Sequence, residues 1–166
     1  MKRVLTLAAV AALSVGMMGT VAASDDHSER RDVKAKLSGF AEVPSISTTG
    51  SGRLRLSVDS AGTTISYQLT YSGLEGGAVT GAHLRLAQPG VSGLIIATLC
   101  SPCAASPVTG TLNAASITGP AAQGIAPGQF AEVLRAIRAG AVYVNVHTTV
   151  YPNGEIRGQL RGGWGS

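Results

Sequence analysis

Short runs of alternating apolar and polar residues, each closed by turn-forming residues, constrain the fold of this chain more than any other feature. Leu54, Leu56 and Val58 alternate with polar neighbours, and residues 59–62 (DSAG) form a turn signal directly after them. A second alternating run covers residues 65–71. Because successive side chains of a strand point to opposite sides, each run predicts a half-buried strand and the pair predicts a β-hairpin.

The same signal recurs along the chain, and one segment predicts a helix. Further strands are expected within residues 33–38, 80–86, 94–99, 108–117, 142–147 and 156–160. Pro127 suits a first helical position, apolar residues recur at helical spacing from 130 to 137, and Gly140 ends the pattern. With 22 glycines among 166 residues and only 13% charged residues, the chain is typical of short strands joined by tight turns. The pattern predicts an all-β, antiparallel sandwich with one short helix.

The N-terminal segment has the features of an export signal. Lys2 and Arg3 precede an uncharged run over residues 4–21, and Ala23 suits a cleavage site. A single membrane anchor is the alternative, but polar and glycine interruptions favour cleavage. We therefore expect a signal peptide (1–23), a disordered charged head (24–33), a folded domain (34–161) and a tail (162–166). The mature protein would be extracytoplasmic, either periplasmic or secreted, with no stable membrane span.

Two cysteines, Cys100 and Cys103, are separated by two residues. In an oxidising compartment the simplest expectation is a disulfide within a loop. A redox-active pair would need a helix that lowers a thiol pKa, which residues 104–107 support poorly. Thiolate ligation of a metal is a third interpretation, although no second Cys-x-x-Cys is present to complete four ligands.

Polar side chains at alternate strand positions form the candidate binding site. They are His83 and Arg85, Asn145 and His147, and Glu155 and Arg157. If their strands share a sheet, these side chains could converge on an anion or a transition metal, because imidazoles ligate metals and guanidinium groups grip carboxylates. Copper or zinc held by His83 and His147 is the metal hypothesis. The alternative is a structural network of hydrogen bonds without a ligand.

Several functional classes lack support in the sequence. The net charge of +4 includes Lys2 and Arg3, the other cations are scattered along the chain, and aromatic residues make up 4%. Nucleic-acid binding is therefore not expected. The sequence contains no Gly-x-Ser-x-Gly, His-Glu-x-x-His or Walker-type motif, and we expect no catalysis.

Four segments resemble the CHRD (chordin-type) domain, which is common in bacterial exported proteins. Residues 37–44 (LSGFAEVP) resemble its opening motif, residues 143–148 and 151–160 its closing signature, and residues 81–83 its central His-bearing strand. The similarity spans residues 34–161. It implies an immunoglobulin-like β-sandwich of Greek-key topology, and a non-catalytic module that binds an undefined protein or polymer. Where the family commonly has a second histidine on the central strand, this chain has Arg85.

Overall fold

The computed structural model describes residues 31–162, which fold into nine strands and one α-helix. The strands are β1 (Arg31–Ser38), β2 (Ser51–Val58), β3 (Ile65–Ser72), β4 (Val79–Leu86), β5 (Leu94–Cys100), β6 (Val108–Leu112), β7 (Val142–Thr148), β8 (Ile156–Gln159) and β9 (Arg161–Gly162). The helix α1 spans Phe130–Arg138, and 3-10 turns lie at Gly39–Ala41, Ala114–Ser116 and Ala121–Gln123.

All nine strands belong to one antiparallel sheet, in the order β5-β4-β7-β8-β1-β2-β3-β6, with β9 paired to β1. The sheet curls until its ends meet, and the Tyr67 hydroxyl on β3 donates to the Leu99 carbonyl on β5 over 2.6 Å. The all-β antiparallel fold with one short helix is confirmed. The described strands do not separate into two packed sheets, because β8 pairs with β7 on one side and β1 on the other.

Alternation places the apolar residues of most strands inside the curled sheet. Leu54, Leu56 and Val58 are buried there as the pattern predicts. The helix adds Phe130, Val133, Leu134 and Ile137 to this core. It begins at Phe130 rather than at Pro127, because the Ala126 amide donates to the Gln129 side chain and holds the preceding residues in a turn. Within residues 31–162, no helix combines the length and the apolar character needed to cross a bilayer.

Three boundaries differ from those expected from the sequence. Strand β1 begins at Arg31, inside the segment assigned to a disordered head, because residues 31–33 pair with residues 56–58 of β2. Strand β6 ends at Leu112, and Asn113 caps a 3-10 turn where the sequence predicted continued strand. Gly162 pairs with Val33 instead of belonging to a tail. The signal peptide, residues 24–30 of the head and residues 163–166 lie outside the described residues.

The cysteine pair forms a disulfide between the end of β5 and the following loop, as the sequence predicts. The two Cα atoms are 4.9 Å apart. Both side chains pack against the core, and the Cys103 amide donates to the Val79 carbonyl of β4. The bond therefore fixes the loop that leaves β5 close to the neighbouring strand.

The hydroxyl of Tyr67 should contribute measurably to stability, because it joins the two ends of the sheet. We expect Tyr67→Phe to lower the free energy of unfolding by about 1–2 kcal/mol, since a buried carbonyl loses its partner. The matched control is Tyr71→Phe, whose hydroxyl donates to an exposed loop carbonyl, Ala104 O. Urea unfolding of both variants checks this, and an equal or smaller loss for Tyr67→Phe would contradict it.

Candidate functional site

Strand β7 is buried on both faces, and its second face forms the candidate site. Val142, Val144 and Val146 point into the core. Asn145 and His147 point the other way, yet they are only 2% and 5% exposed. Three connecting segments cover this outer face: residues 39–50 after β1, residues 87–93 between β4 and β5, and residues 149–155 between β7 and β8.

The strand register brings five of the six predicted site residues together. His83 lies opposite Asn145, and Asn145 lies opposite Arg157. One step along, Arg85 lies opposite Tyr143, and at the other end Gly81 lies opposite His147. We call the resulting set the polar layer: His83, Arg85, Tyr143, Asn145, His147, Arg157 and Gln159 on the strands, together with Glu42 from the covering loop.

The two histidines meet edge to face, with ring centroids 4.9 Å apart. The Nδ1 of His147 lies 2.8 Å from the Pro152 carbonyl, and its Nε2 lies 3.0 Å from the side-chain oxygen of Asn145. Burial lowers the pKa of His147 despite the Pro152 hydrogen bond. Burial, reinforced by repulsion from His147 and Arg85, lowers the pKa of His83 to about 4. Both rings are therefore neutral near pH 7. A neutral ring donates from one nitrogen only, so His147 donates to either the Pro152 carbonyl or the Asn145 side-chain oxygen.

Arg157 ties the loop between β4 and β5 to the sheet. Its guanidinium carbon lies 3.5 Å from the centroid of the Tyr143 ring, and one terminal nitrogen donates to the carbonyls of Val91 and Gln88 at 2.8 and 3.3 Å. A guanidinium on an aromatic face is stabilised by the ring quadrupole, most strongly when it is desolvated. Arg157 is 2% exposed, so this stacking and the two carbonyls replace its hydration.

Arg85 and Gln159 extend this attachment along the same loop. Arg85 donates from a terminal nitrogen to the Gly93 carbonyl at 3.0 Å. The amide of Gln159 donates to the carbonyls of Ala87 and Gly140 at 2.9 and 2.7 Å. Each side chain thus holds loop backbone against the outer face of the sheet, as the structural-network hypothesis predicts.

Glu42 belongs to the polar layer but lies in a loop, so strand alternation does not predict it. It follows the 3-10 turn after β1 and is 8% exposed. Burial raises its pKa to about 7, against the opposing attraction of Arg157 and Arg85. A β carbon on Gly154, whose φ is +128°, would collide with the Glu42 carboxylate, so glycine is required there. The sequence feature that could have identified Glu42 is its place in the opening motif, because loop residues have no periodic pattern from which burial can be predicted.

Four buried side-chain atoms in residues 31–162 have no hydrogen-bond partner there, and all belong to the polar layer. They are Glu42 Oε1, His83 Nδ1, Arg85 Nε and Gln159 Oε1. Native proteins leave few buried polar groups unpaired, so such a concentration marks a place for bound water or ligand.

Glu155 lies apart from the other predicted site residues. Its carboxylate accepts hydrogen bonds from the hydroxyls of Thr48 and Thr148, each at 2.8 Å. The backbone amides of Glu75 and Gly76 also donate to it, at 2.7 and 2.9 Å. Although burial raises the pKa of Glu155, these hydrogen bonds together hold it below its usual value. The sequence predicted that Glu155 lies on the polar face together with Arg157. This prediction is wrong, because β8 begins only at Ile156 and strand alternation does not extend to Glu155.

The polar layer contains the two imidazoles that the metal hypothesis requires, those of His83 and His147. Among the described residues, no group of three or more His, Cys, Asp and Glu side chains is arranged to hold a metal ion. Cys100 and Cys103 are joined to each other in the disulfide, so neither offers a thiolate. His147 would have to release Pro152 or Asn145 to bind a metal.

A pocket of about 400 Å³ opens over the polar layer. Glu42, Arg157 and Gln159 lie in its wall, with Pro89 and Gly90 opposite the turn at residues 40–45. Phe40 stands at its mouth and is 72% exposed. A second groove of about 510 Å³ continues past Gln159 and Ala41 towards Lys34 and Arg161.

The fold and the site define a binding or structural module built on one curled antiparallel sheet with one short helix. The chain belongs to the CHRD domain family, whose model matches residues 33–160. Comparison with curated proteins and with solved structures gave no match.

The raised pKa of Glu42 predicts a pH-dependent contribution to stability. The folded protein keeps this proton up to about pH 7, whereas an ordinary Glu releases it near 4.5. The contribution is therefore fully present below pH 4.5 and is lost as the pH rises through 7. His83 acts in the opposite direction, because its folded pKa of about 4 lies below the ordinary 6.5 and stability rises with pH between them.

The Glu42→Gln variant separates the two effects, because it retains His83 and removes only the titrating carboxyl. Between about pH 5 and pH 8, the unfolding free energy of wild type minus that of the variant should fall by on the order of 2 kcal/mol. Urea unfolding at both pH values measures this, with the exposed Glu75→Gln as the control for net charge. A difference that is constant or grows with pH would contradict the prediction.

Proposed function

We propose that this protein is an exported, non-catalytic binding module whose ligand site is the pocket over the polar layer. Membership of the CHRD family supports a binding or structural role. The concentration of unpaired buried atoms beneath one pocket is the observation that carries the proposal. Two of them, Glu42 Oε1 and Gln159 Oε1, belong to side chains that line this pocket.

The pocket favours a ligand that combines hydrogen-bond donors with apolar surface. Carboxyl and amide oxygens of Glu42 and Gln159 accept hydrogen bonds, and a donor from the ligand could satisfy them after small side-chain rotations. Phe40 and Val43, 72% and 38% exposed, supply apolar contact at the mouth. Exposed aromatic side chains beside fixed polar groups are typical of recognition surfaces. A hydroxyl- or amide-bearing segment of a protein or polymer fits this description.

The titratable side chains of His147 and Arg157 in the polar layer are held by other groups of the protein, which favours a binding role over a catalytic one. The two ring nitrogens of His147 lie 2.8 Å from the Pro152 carbonyl and 3.0 Å from the Asn145 side-chain oxygen. Arg157 is held by two loop carbonyls and the Tyr143 ring. A general base must reach the proton that it abstracts, and these groups are committed to the covering loops instead.

The disulfide supports an extracytoplasmic location. Disulfides persist in oxidising compartments and are rare in the cytoplasm. Cys100 and Cys103 form such a bond in this domain. Together with the export signal expected from the first 23 residues, this favours the periplasm or the external medium.

Copper or zinc binding is the second candidate, and the observation that favours it is the contact between the His83 and His147 rings at 4.9 Å. Elemental mass spectrometry of natively purified protein tests it. About one copper or zinc per chain, lost in His83→Asn and His147→Asn, would support a metal site. Metal that persists in both variants, or metal-free native protein, would contradict it.

Filling the pocket should abolish binding without disturbing the layer beneath. Ala41 is exposed at the pocket edge, so Ala41→Trp should block it. The control is Ala115→Trp, which places the same ring on an exposed 3-10 turn outside the pocket. Immobilised protein is titrated with protein and polysaccharide fractions of its host's envelope and medium. We expect at least about tenfold weaker binding for Ala41→Trp, equivalent to loss of about 1.4 kcal/mol.

The control variant should bind as the wild type does. Binding by Ala41→Trp that equals wild-type binding in every fraction would contradict the proposed pocket. Equal loss in both tryptophan variants would also contradict it, because the effect would then be unrelated to the pocket.

A further inference from the structure

The outer side of the sheet carries five exposed cations over β1, β2 and β9, where the covering loops do not reach. They are Lys34 and Lys36 on β1, Arg53 and Arg55 on β2, and Arg161 on β9. We call this set the basic face. It is not apparent from the sequence, because the residues of β1, β2 and β9 lie far apart in the chain and only strand pairing brings them together.

The register places the cations directly opposite one another. Lys34 pairs with Arg55, Lys36 pairs with Arg53, and Lys34 also pairs with Arg161 across its other edge. Side chains directly opposite in an antiparallel pair have Cβ atoms about 5 Å apart, and like charges there destabilise the sheet. Three such pairs in one face are unfavourable for folding, and an anionic partner would relieve them.

One carboxylate, Asp32, shares the outward side of β1 and offsets only part of this charge. None of the five cations forms an ion pair within the described part of the chain, where the observed pair is Arg135 with Glu132 on the helix. Asp32 lies opposite Ser57, beyond the paired cations. The remaining outward side chains on β2 and β3 are uncharged and polar: Ser51, Ser57, Ser66, Gln68, Thr70 and Ser72.

Grooves flank the basic face on both sides of Lys36. One, of about 420 Å³, is lined by Lys36 and Arg53 together with the hydroxyl side chains of Ser51, Thr70 and Ser72. The other, of about 510 Å³, runs between Lys34, Lys36 and Arg161 towards Pro89. Cations along a strand recur about every 7 Å, so one extended polymer can contact several of them.

We propose that the basic face binds an acidic polysaccharide, a linear sugar polymer bearing carboxylate or sulfate groups. Guanidinium and ammonium groups form charge-assisted hydrogen bonds with such anions. The surrounding serine, threonine and glutamine side chains can exchange hydrogen bonds with sugar hydroxyls. The five cations do not line the pocket of the proposed function, and their binding of an anion does not depend on it, although the groove beside Lys34 adjoins that pocket at Ala41 and Gln159.

The face is poorly suited to the other common polyanions. Sequence-tolerant binding of single-stranded nucleic acid relies on several aromatic side chains on which successive bases stack. The outward residues of β1, β2 and β3 include none, and the groove beside Lys36 is lined by a single aromatic residue, Tyr71, whose hydroxyl donates to the Ala104 carbonyl. Stable attachment to a bilayer relies on apolar side chains that enter it, and these outward residues include none of those either.

The test compares defined polymers on the full chain. Dextran sulfate and polygalacturonate are the acidic probes, neutral dextran is the uncharged control, and poly(dT) and phosphatidylglycerol vesicles represent the other classes. Affinity is measured by isothermal titration or interferometry at several salt concentrations. We expect binding to at least one acidic polysaccharide, none to dextran, and weakening as salt rises.

Two double variants remove the opposed cations: Lys36→Gln with Arg53→Gln, and Lys34→Gln with Arg55→Gln. Each should weaken binding by roughly tenfold or more, with a shallower salt dependence. The matched control, Arg135→Gln with Arg138→Gln, removes the same charge from the helix and should bind like wild type. Urea unfolding should show each basic-face variant at least as stable as wild type, because like-charge pairs are relieved.

Several results would overturn the proposal. They are equal loss of affinity in the helix variant, no binding of either acidic polysaccharide at low salt, and tighter binding of poly(dT) or vesicles than of both. Loss of pocket binding in Ala41→Trp with intact dextran sulfate binding would reject neither site. Loss of dextran sulfate binding in the basic-face variants, with pocket binding unchanged, would support two independent surfaces.

Discussion

The rest of the structure depends on the burial of β7 on both of its faces. Its valines fill the core, while Asn145 and His147 lie beneath loops at 2% and 5% exposure. Buried polar groups must find partners, and here the loop backbone supplies them through the carbonyls of Pro152 and Asn153. Strand and loop therefore stabilise each other, and neither arrangement would persist alone.

Charge inside this layer is accommodated in different ways by different groups. Arg157 keeps its charge because the Tyr143 ring and two carbonyls replace water. Glu42 has no such set of donors, so burial raises its pKa to about 7. Glu155, in contrast, receives four hydrogen bonds, from Thr48, Glu75, Gly76 and Thr148, and its pKa is lowered. Donor supply, rather than depth alone, decides the ionisation of each carboxylate.

The same sheet presents two unlike outer surfaces because its connecting loops fold over one side only. Over β4, β7 and β8 the loops exclude water and create a polar layer with a pocket. Over β1, β2 and β9 no such cover lies on the described structure, and the cations remain exposed. A single small domain can in this way offer a shaped pocket and an extended charged face.

The all-β class, most strands, the helix region and the inward valines of β7 follow from the sequence alone, because period-two and helical patterns are local. The sequence also placed His83, Arg85, Asn145, His147 and Arg157 on the polar sides of their strands, without establishing that these strands share a sheet. It misplaced Glu155, missed Glu42 as a site residue and treated the cations of β1 and β2 as scattered. Those features depend on where strands begin, how loops fold back and which strands pair. Such contacts join residues far apart in the chain, so only the tertiary structure decided them.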